Sequence, residues 1–301
     1  MSYSESFIGI GAEYLSSLGR RNYSPRTVRT YDDILKRFFR YLRAKGVSSV
    51  ADVDAALIQG FILNMQERKL RQTTMELYTR AVKGLFRYLE AKNMVFVNPA
   101  EEMKVARPVR NLMAVPSMEE MADLISAIGV GDMFGIRDRC IVEVSYSCGL
   151  RLNELASLDV RAIDLKNGSV RIMGKGRKER VLPLTKAAVS SLGKYMKDAR
   201  PKLLKGNADD GGLWIDQYGK RMSASAIHMM FKSYQKKAGV RTHITVHAVR
   251  RACVTHMLAN GASPIHIQMM LGHATLRHLS QYLSVTMPEL KKMHGKSRLG
   301  K

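Results

Sequence analysis

The sequence predicts a mainly α-helical chain with one small antiparallel β-sheet, an α+β fold. Two observations predict it. Apolar residues recur at helical spacing through most of the chain, and one Asn167-Gly168 turn is followed by two short runs of strand character. The 301 residues suit about two domains of ~150 residues each. A composition of 46% hydrophobic and 25% charged residues is that of a globular chain, not a disordered one.

The first hundred residues read as all helix. An opening helix is expected near Phe7 to Leu18. Ser24-Pro25 begins a second, with Ser as the capping acceptor and Pro at the first helical position. Tyr31, Ile34, Leu35, Phe38, Phe39 and Leu42 then share one face, and Gly46 ends it. Ala55 to Gln66 and Thr73 to Ala91 supply two more, the last with Leu77, Ala81, Leu85 and Leu89 as its stripe. These stripes read as core packing. Residues 104–116 hold two prolines and no period, which reads as an extended basic linker. Ser117-Met-Glu-Glu opens the second domain with a cap and first-turn acids. Helices are expected near 117–128, 134–147, 185–198, 223–237, 246–259, 263–271 and 275–284. Strands are expected at 169–173 and 179–184. The division is therefore 1–103, a helical domain; 104–116, a linker; 117–286, a mixed domain; and 287–301, a basic tail.

Lys and Arg number 49 against 26 Asp and Glu, a net charge of +23. Residues 1–113 carry +8 and residues 114–301 carry +15, so both domains are basic. A polyanionic partner follows, with nucleic acid first and an anionic membrane surface second. No basic amphipathic helix with an aromatic anchor and no apolar run of ~20 residues is present, so nucleic acid is favoured and no membrane is expected. The three cysteines form no CxxC pair and the first residues lack a signal peptide, which points to the cytoplasm.

Four short motifs carry chemistry. Arg151 follows Gly149 at the start of a helix, a place that suits an anion, and Glu154 lies one turn on to orient its guanidinium. A surface ion pair would look the same. Lys175 stands between Gly174 and Gly176 at a hairpin tip; the GxxxxGK[ST] spacing of a phosphate loop is absent, as is a dinucleotide motif at Gly9-Ile-Gly11. His247 and Arg250 fall three apart after the cap Thr245, facing one way at a positive helix end. His273 follows Leu271-Gly272, and Tyr282 borders the apolar face of a last helix, where half-buried packing is its ordinary role. No metal-ligand set is spaced along the chain, so no cofactor or metal is expected.

Taken in order, Arg151, Lys175, His247-x-x-Arg250, Leu-Gly-His273 and Tyr282 resemble the tyrosine recombinase (phage integrase) family, and most closely its Xer-like members. The nine-residue gap from His273 to Tyr282 agrees as well. The resemblance implies a helical core-binding domain and a catalytic domain that clamp a duplex. It implies two protomers on each site and a tetramer in the synapse. It also implies the chemistry: Tyr282 attacks a DNA phosphorus to form a 3′-phosphotyrosyl link, Arg151 and Arg250 bind the non-bridging oxygens, Lys175 protonates the leaving 5′ oxygen, His247 moves the tyrosine proton, and His273 donates to the phosphate. Ser284 stands where Xer members tend to have His, which weakens assignment to the chromosome-dimer-resolving subgroup and leaves the catalytic set untouched. A type IB topoisomerase and a non-catalytic DNA-binding architectural protein remain the alternatives.

Overall fold

The computed structural model describes residues 7–68, 70–103, 114–174 and 179–272. The chain divides into two units, Met1–Asn111 and Leu112–Lys301.

Four helices build the first unit: α1 (Phe7–Arg20), α2 (Pro25–Ala44), α3 (Ala55–Glu67) and α4 (Gln72–Ala91). The Ser24 hydroxyl accepts from the Thr27 amide at 3.1 Å and so caps α2. Beyond its end Gly46 sits at φ +77°, a left-handed conformation that glycine adopts without strain. Phe38, fully buried, meets Phe61 edge-on at 5.0 Å and Phe86 at 6.1 Å, which fastens α2 to α3 and α4. The stripe of α4 is broader than its leucine spacing suggests. Met75, Tyr78, Val82 and Phe86 join Ala81, Leu85 and Leu89 inside, whereas Leu77 is only half-buried. Tyr78 takes that place because its ring packs on Phe61 at 6.0 Å.

The second unit is built around α6 (Met133–Cys148), none of whose residues is fully exposed and nine of whose sixteen are buried, Arg137 and Asp138 among them. Asp132 caps its start, accepting from Gly135 N at 2.7 Å, and Gly149 at φ +56° ends it. Against it lie α5 (Met118–Ser126), α8 (Lys186–Lys194), α9 (Arg200–Leu204), and α11 (Val246–Ala259). The one-turn α7 (Leu152–Ala156) packs on α10 (Ala224–Lys237), and α12 (Pro264–Leu271) follows α11. The sheet runs β1 (Ile163–Asp164), β2 (Ser169–Met173), β3 (Glu179–Pro183), antiparallel throughout. Its first turn spans four residues rather than the two expected of Asn-Gly. Asp164 holds it by accepting from Asn167 N at 2.9 Å, and Gly168 alone takes positive φ.

The helix expected at 185–198 continues to Leu204 through a π turn at Tyr195–Ala199. Pro201 has no N–H to donate back one turn, which breaks the α-helical ladder there. The Tyr195 hydroxyl donates to Leu213 O at 2.8 Å and accepts from Ile215 N at 3.1 Å, drawing the widened turn onto the next segment. The helix expected at 275–284 lies outside the described residues. No helix among the described residues is long and apolar enough to cross a membrane.

Candidate active site

The junction after α6 places Arg151. Gly149 turns the chain, Leu150 is buried, and Arg151 stands just before α7 with its side chain 40% exposed. The helix end itself does less for an anion than its position suggests. α7 is a single turn, and the Arg151 N–H is already taken by Glu154 Oε2 at 2.9 Å. The guanidinium is what remains to meet a ligand, and its Nη1 donates to Glu154 Oε1 at 2.9 Å.

Glu154 is the hub. Its residue is 8% exposed, and its two oxygens serve three arginines from three elements. Arg180, on β3, donates Nη2 to Oε2 at 2.9 Å. Arg250, on α11, brings Nη1 to 3.9 Å from the same oxygen. Burial by itself raises the carboxyl pKa, but hydrogen bonds and charge from Arg180 and Arg151 outweigh it, so Glu154 titrates below its ordinary 4.5. The cluster is therefore one fixed anion among three fixed cations, with an excess of positive charge.

Thr245 caps α11, accepting from Ala248 N at 3.1 Å, which fixes the first turn and sets His247 and Arg250 on it. Arg250 is 2% exposed; it donates to the carbonyl of Gly149 and, at 3.2 Å, to that of Leu271. His247 is exposed. Partial loss of water, and then the charges of Arg250, Arg251 and Arg151, hold its pKa below the ordinary 6.5. Its ring is thus neutral at pH 7, as a proton acceptor must be.

The structure brings Arg151, His247 and Arg250 together, as the sequence motifs suggest. Lys175, His273 and Tyr282 lie outside the described residues. Sequence reasoning missed Arg180. The signal was available: strand alternation puts Arg180 on the inner face with Leu182, opposite Ile172, where an apolar residue is the norm. No group of His, Cys, Asp or Glu among the described residues could hold a metal.

In the first unit, α1 and α4 border a groove of about 770 Å³. Arg20, Arg21, Arg80, Lys83 and Arg87 line it beside four tyrosines, with Glu76 as its one acid. Such interleaving of cations and aromatic rings suits a nucleic-acid backbone.

The comparisons agree with both units. Residues 117–289 match the Phage integrase family, and residues 12–93 match its N-terminal SAM-like domain. The chain is 31% identical over 285 residues to tyrosine recombinase XerC of Shigella flexneri serotype 5b (strain 8401), covering 93% of this chain and 94% of that protein. It is 28% identical over 275 residues to tyrosine recombinase XerD of Listeria monocytogenes serotype 4b (strain F2365), covering 91% and 93%. Two solved structures share the fold. The XerH recombinase in its post-cleavage complex with palindromic difH substrate has TM-score 0.76 at 21% identity, over 92% of this chain and 81% of that one. A lambda integrase dimer bound to a COC′ core site has TM-score 0.74 at 16% identity, over 92% and 77%. With a basic helical unit, a mixed second unit and an arginine cluster beside a neutral histidine, this chain belongs to the phage integrase family, the tyrosine recombinases.

Proposed function

We infer that the protein is a site-specific DNA recombinase that cuts and rejoins DNA through a tyrosyl ester. The observation that carries the reading is the arginine cluster on Glu154 beside the neutral His247. In the cleavage step the Tyr282 oxygen bonds to phosphorus and the bond from phosphorus to the 5′ oxygen breaks. His247 takes the phenolic proton, and Lys175 supplies one to the leaving oxygen. One ester is exchanged for another, so the bond energy is retained for rejoining. Charge builds on the non-bridging oxygens as the nucleophile approaches. Arg151 and Arg250, already held in place, stabilise that charge without reorganising, and His273 adds a hydrogen bond.

Residues 1–103 then serve as the core-binding domain, 104–116 as the linker, 117–286 as the catalytic domain and 287–301 as a tail. Double-stranded DNA is the partner, with a dimer on each site and a tetramer in the synapse. Three buried free thiols fit work in the reducing cytoplasm.

Covalent capture tests the function. The protein is incubated with fragmented genomic DNA, denatured, and the attached ends are sequenced. Recovered ends should converge on one inverted-repeat sequence, and plasmids carrying two copies should yield recombinant products. Attachment without consensus, accompanied by supercoil relaxation, would indicate a topoisomerase; no attachment at all would indicate an architectural protein.

Two further outcomes follow from the assigned roles. Lys175→Ala should lose about 10²–10⁴ in cleavage rate, the usual span for a general acid. A duplex with sulfur at the 5′-bridging position should restore that rate, since a thiolate leaves without a proton. Lack of rescue would remove Lys175 from the acid role. Single-turnover cleavage should also rise with pH on an acid limb whose midpoint lies below 6.5, as His247 becomes neutral, and then level off. A midpoint above 7 would rule His247 out as the base.

A further inference from the structure

We propose that Arg180 is a positioning residue for strand cleavage: by bridging Glu154 to the end of α12, it holds the Arg151 and Arg250 guanidiniums in a shared orientation toward the scissile phosphate. This rests on the recombinase reading above and adds to it a residue that touches no substrate.

One guanidinium joins three elements. From β3, Arg180 donates Nε to Met270 O in the last turn of α12 at 3.0 Å, and Nη2 to Glu154 Oε2 in α7 at 2.9 Å. Arg250 grips the next carbonyl along, Leu271 O, at 3.2 Å. Two arginines thus hold consecutive carbonyls at the end of a helix, where those carbonyls have no intrahelical partner and the helix presents its negative pole. The Arg180 side chain also lies along Gly272. A Cβ at that glycine, itself at φ +64°, would sit 3.4 Å from Arg180 Nη1 and 3.5 Å from Cδ.

Between Arg180 and Arg151 the difference is plain: the Arg180 side chain is 13% exposed against 40% for Arg151, and its Nε and Nη2 both bond protein groups, whereas Arg250, 2% exposed, is set apart from Arg180 by its place beside His247 on α11. The shared anion explains why orientation depends on it. Glu154 Oε2 pairs closely with Arg180 at 2.9 Å and only distantly with Arg250 at 3.9 Å, whose Nη1 donates to the Gly149 carbonyl instead. Without Arg180, that oxygen draws Arg250 or Arg151 toward itself and away from the phosphate. Lysine cannot replace the fork: a single ammonium on a flexible stem does not span two fixed acceptors in set directions.

The test uses the full-length protein and the duplex recovered by covalent capture, made in two forms. One carries the normal phosphodiester at the scissile position, the other a neutral methylphosphonate. If Arg180 acts by aiming cations at phosphate charge, Arg180→Ala should slow single-turnover adduct formation about 30–100-fold on the diester and less than about fivefold on the methylphosphonate. Arg180→Lys should show the same split at smaller amplitude, and it answers the question if the alanine variant melts below the assay temperature. Circular dichroism and DNA affinity should stay near wild type. Equal losses on the two duplexes would overturn the proposal, because a merely structural defect does not sense phosphate charge. Failure of the wild-type protein to form an adduct on either duplex would sink the recombinase reading itself.

Discussion

Tyr282→Phe should abolish covalent attachment to DNA while leaving site-specific binding unchanged. The substitution removes one oxygen and keeps the ring, so whatever the ring packs against is retained. Nothing else in the proposed site offers the same nucleophile. The arginines are permanently protonated and His247 is assigned to proton transfer. Loss of the nucleophile should therefore lower adduct formation by at least about 10⁴-fold, in line with the removal of covalent nucleophiles elsewhere. Binding rests on phosphate contacts from two basic units and should keep its steep dependence on salt. A denaturing gel and a mobility shift on the same duplex separate the two effects. Residual adduct near the wild-type level would move the chemistry to another residue.

Glu154→Ala should be the most damaging change that touches no substrate. The carboxylate is 8% exposed and compensates Arg151, Arg180 and Arg250, two of which are well covered. Removing one side of a buried charged network leaves uncompensated cations and costs about 3–5 kcal/mol. For a domain of this size that lowers the thermal midpoint by roughly 6–20 °C. Glu154→Gln keeps the shape and one acceptor, so it should fall between the two. The pH dependence has a definite sign. The folded-state pKa of Glu154 is depressed, so its contribution to stability is fully present above the unfolded carboxylate value of about 4.3 and lost as pH falls through the folded value. The gap in melting temperature between wild type and Glu154→Gln should therefore close below about pH 4. A gap that persists unchanged at low pH would show that the charge is not what stabilises the cluster.

Much of the fold was legible because local chemistry and tertiary packing agree. Ser24, Ser117 and Thr245 cap helices where their side chains predict, and Gly149 and Gly272 end helices in the left-handed conformation that their neighbours would resist. What escaped the sequence was set by contacts distant along the chain. β1 is two residues long and has no period to detect. The π turn at Tyr195–Ala199 depends on a hydroxyl bonded to residues 18 and 20 positions away. Tyr78 enters the core in preference to Leu77 because of Phe61, a residue on another helix.

The site was legible in a similar proportion. Spacing put His247 and Arg250 on one helix face and one helical turn tied Arg151 to Glu154, but that the three belong to one site was implied by the family resemblance. That Glu154 serves two more arginines could not, since β3 and α11 approach it only through the fold. Arg180 shows what was overlooked: a charge at an inward strand position needs a buried partner, and the search for one leads to the centre of the site.

The most direct measurement is the identity of the atom joined to DNA. A duplex nicked just downstream of the scissile phosphate traps the covalent complex. Nuclease and protease digestion followed by tandem mass spectrometry then locates the nucleotide on the chain. The account predicts a single peptide bearing a 3′-linked nucleotide on the phenolic oxygen of Tyr282. A nucleotide on any other residue, or one attached through its 5′ phosphate, would contradict it.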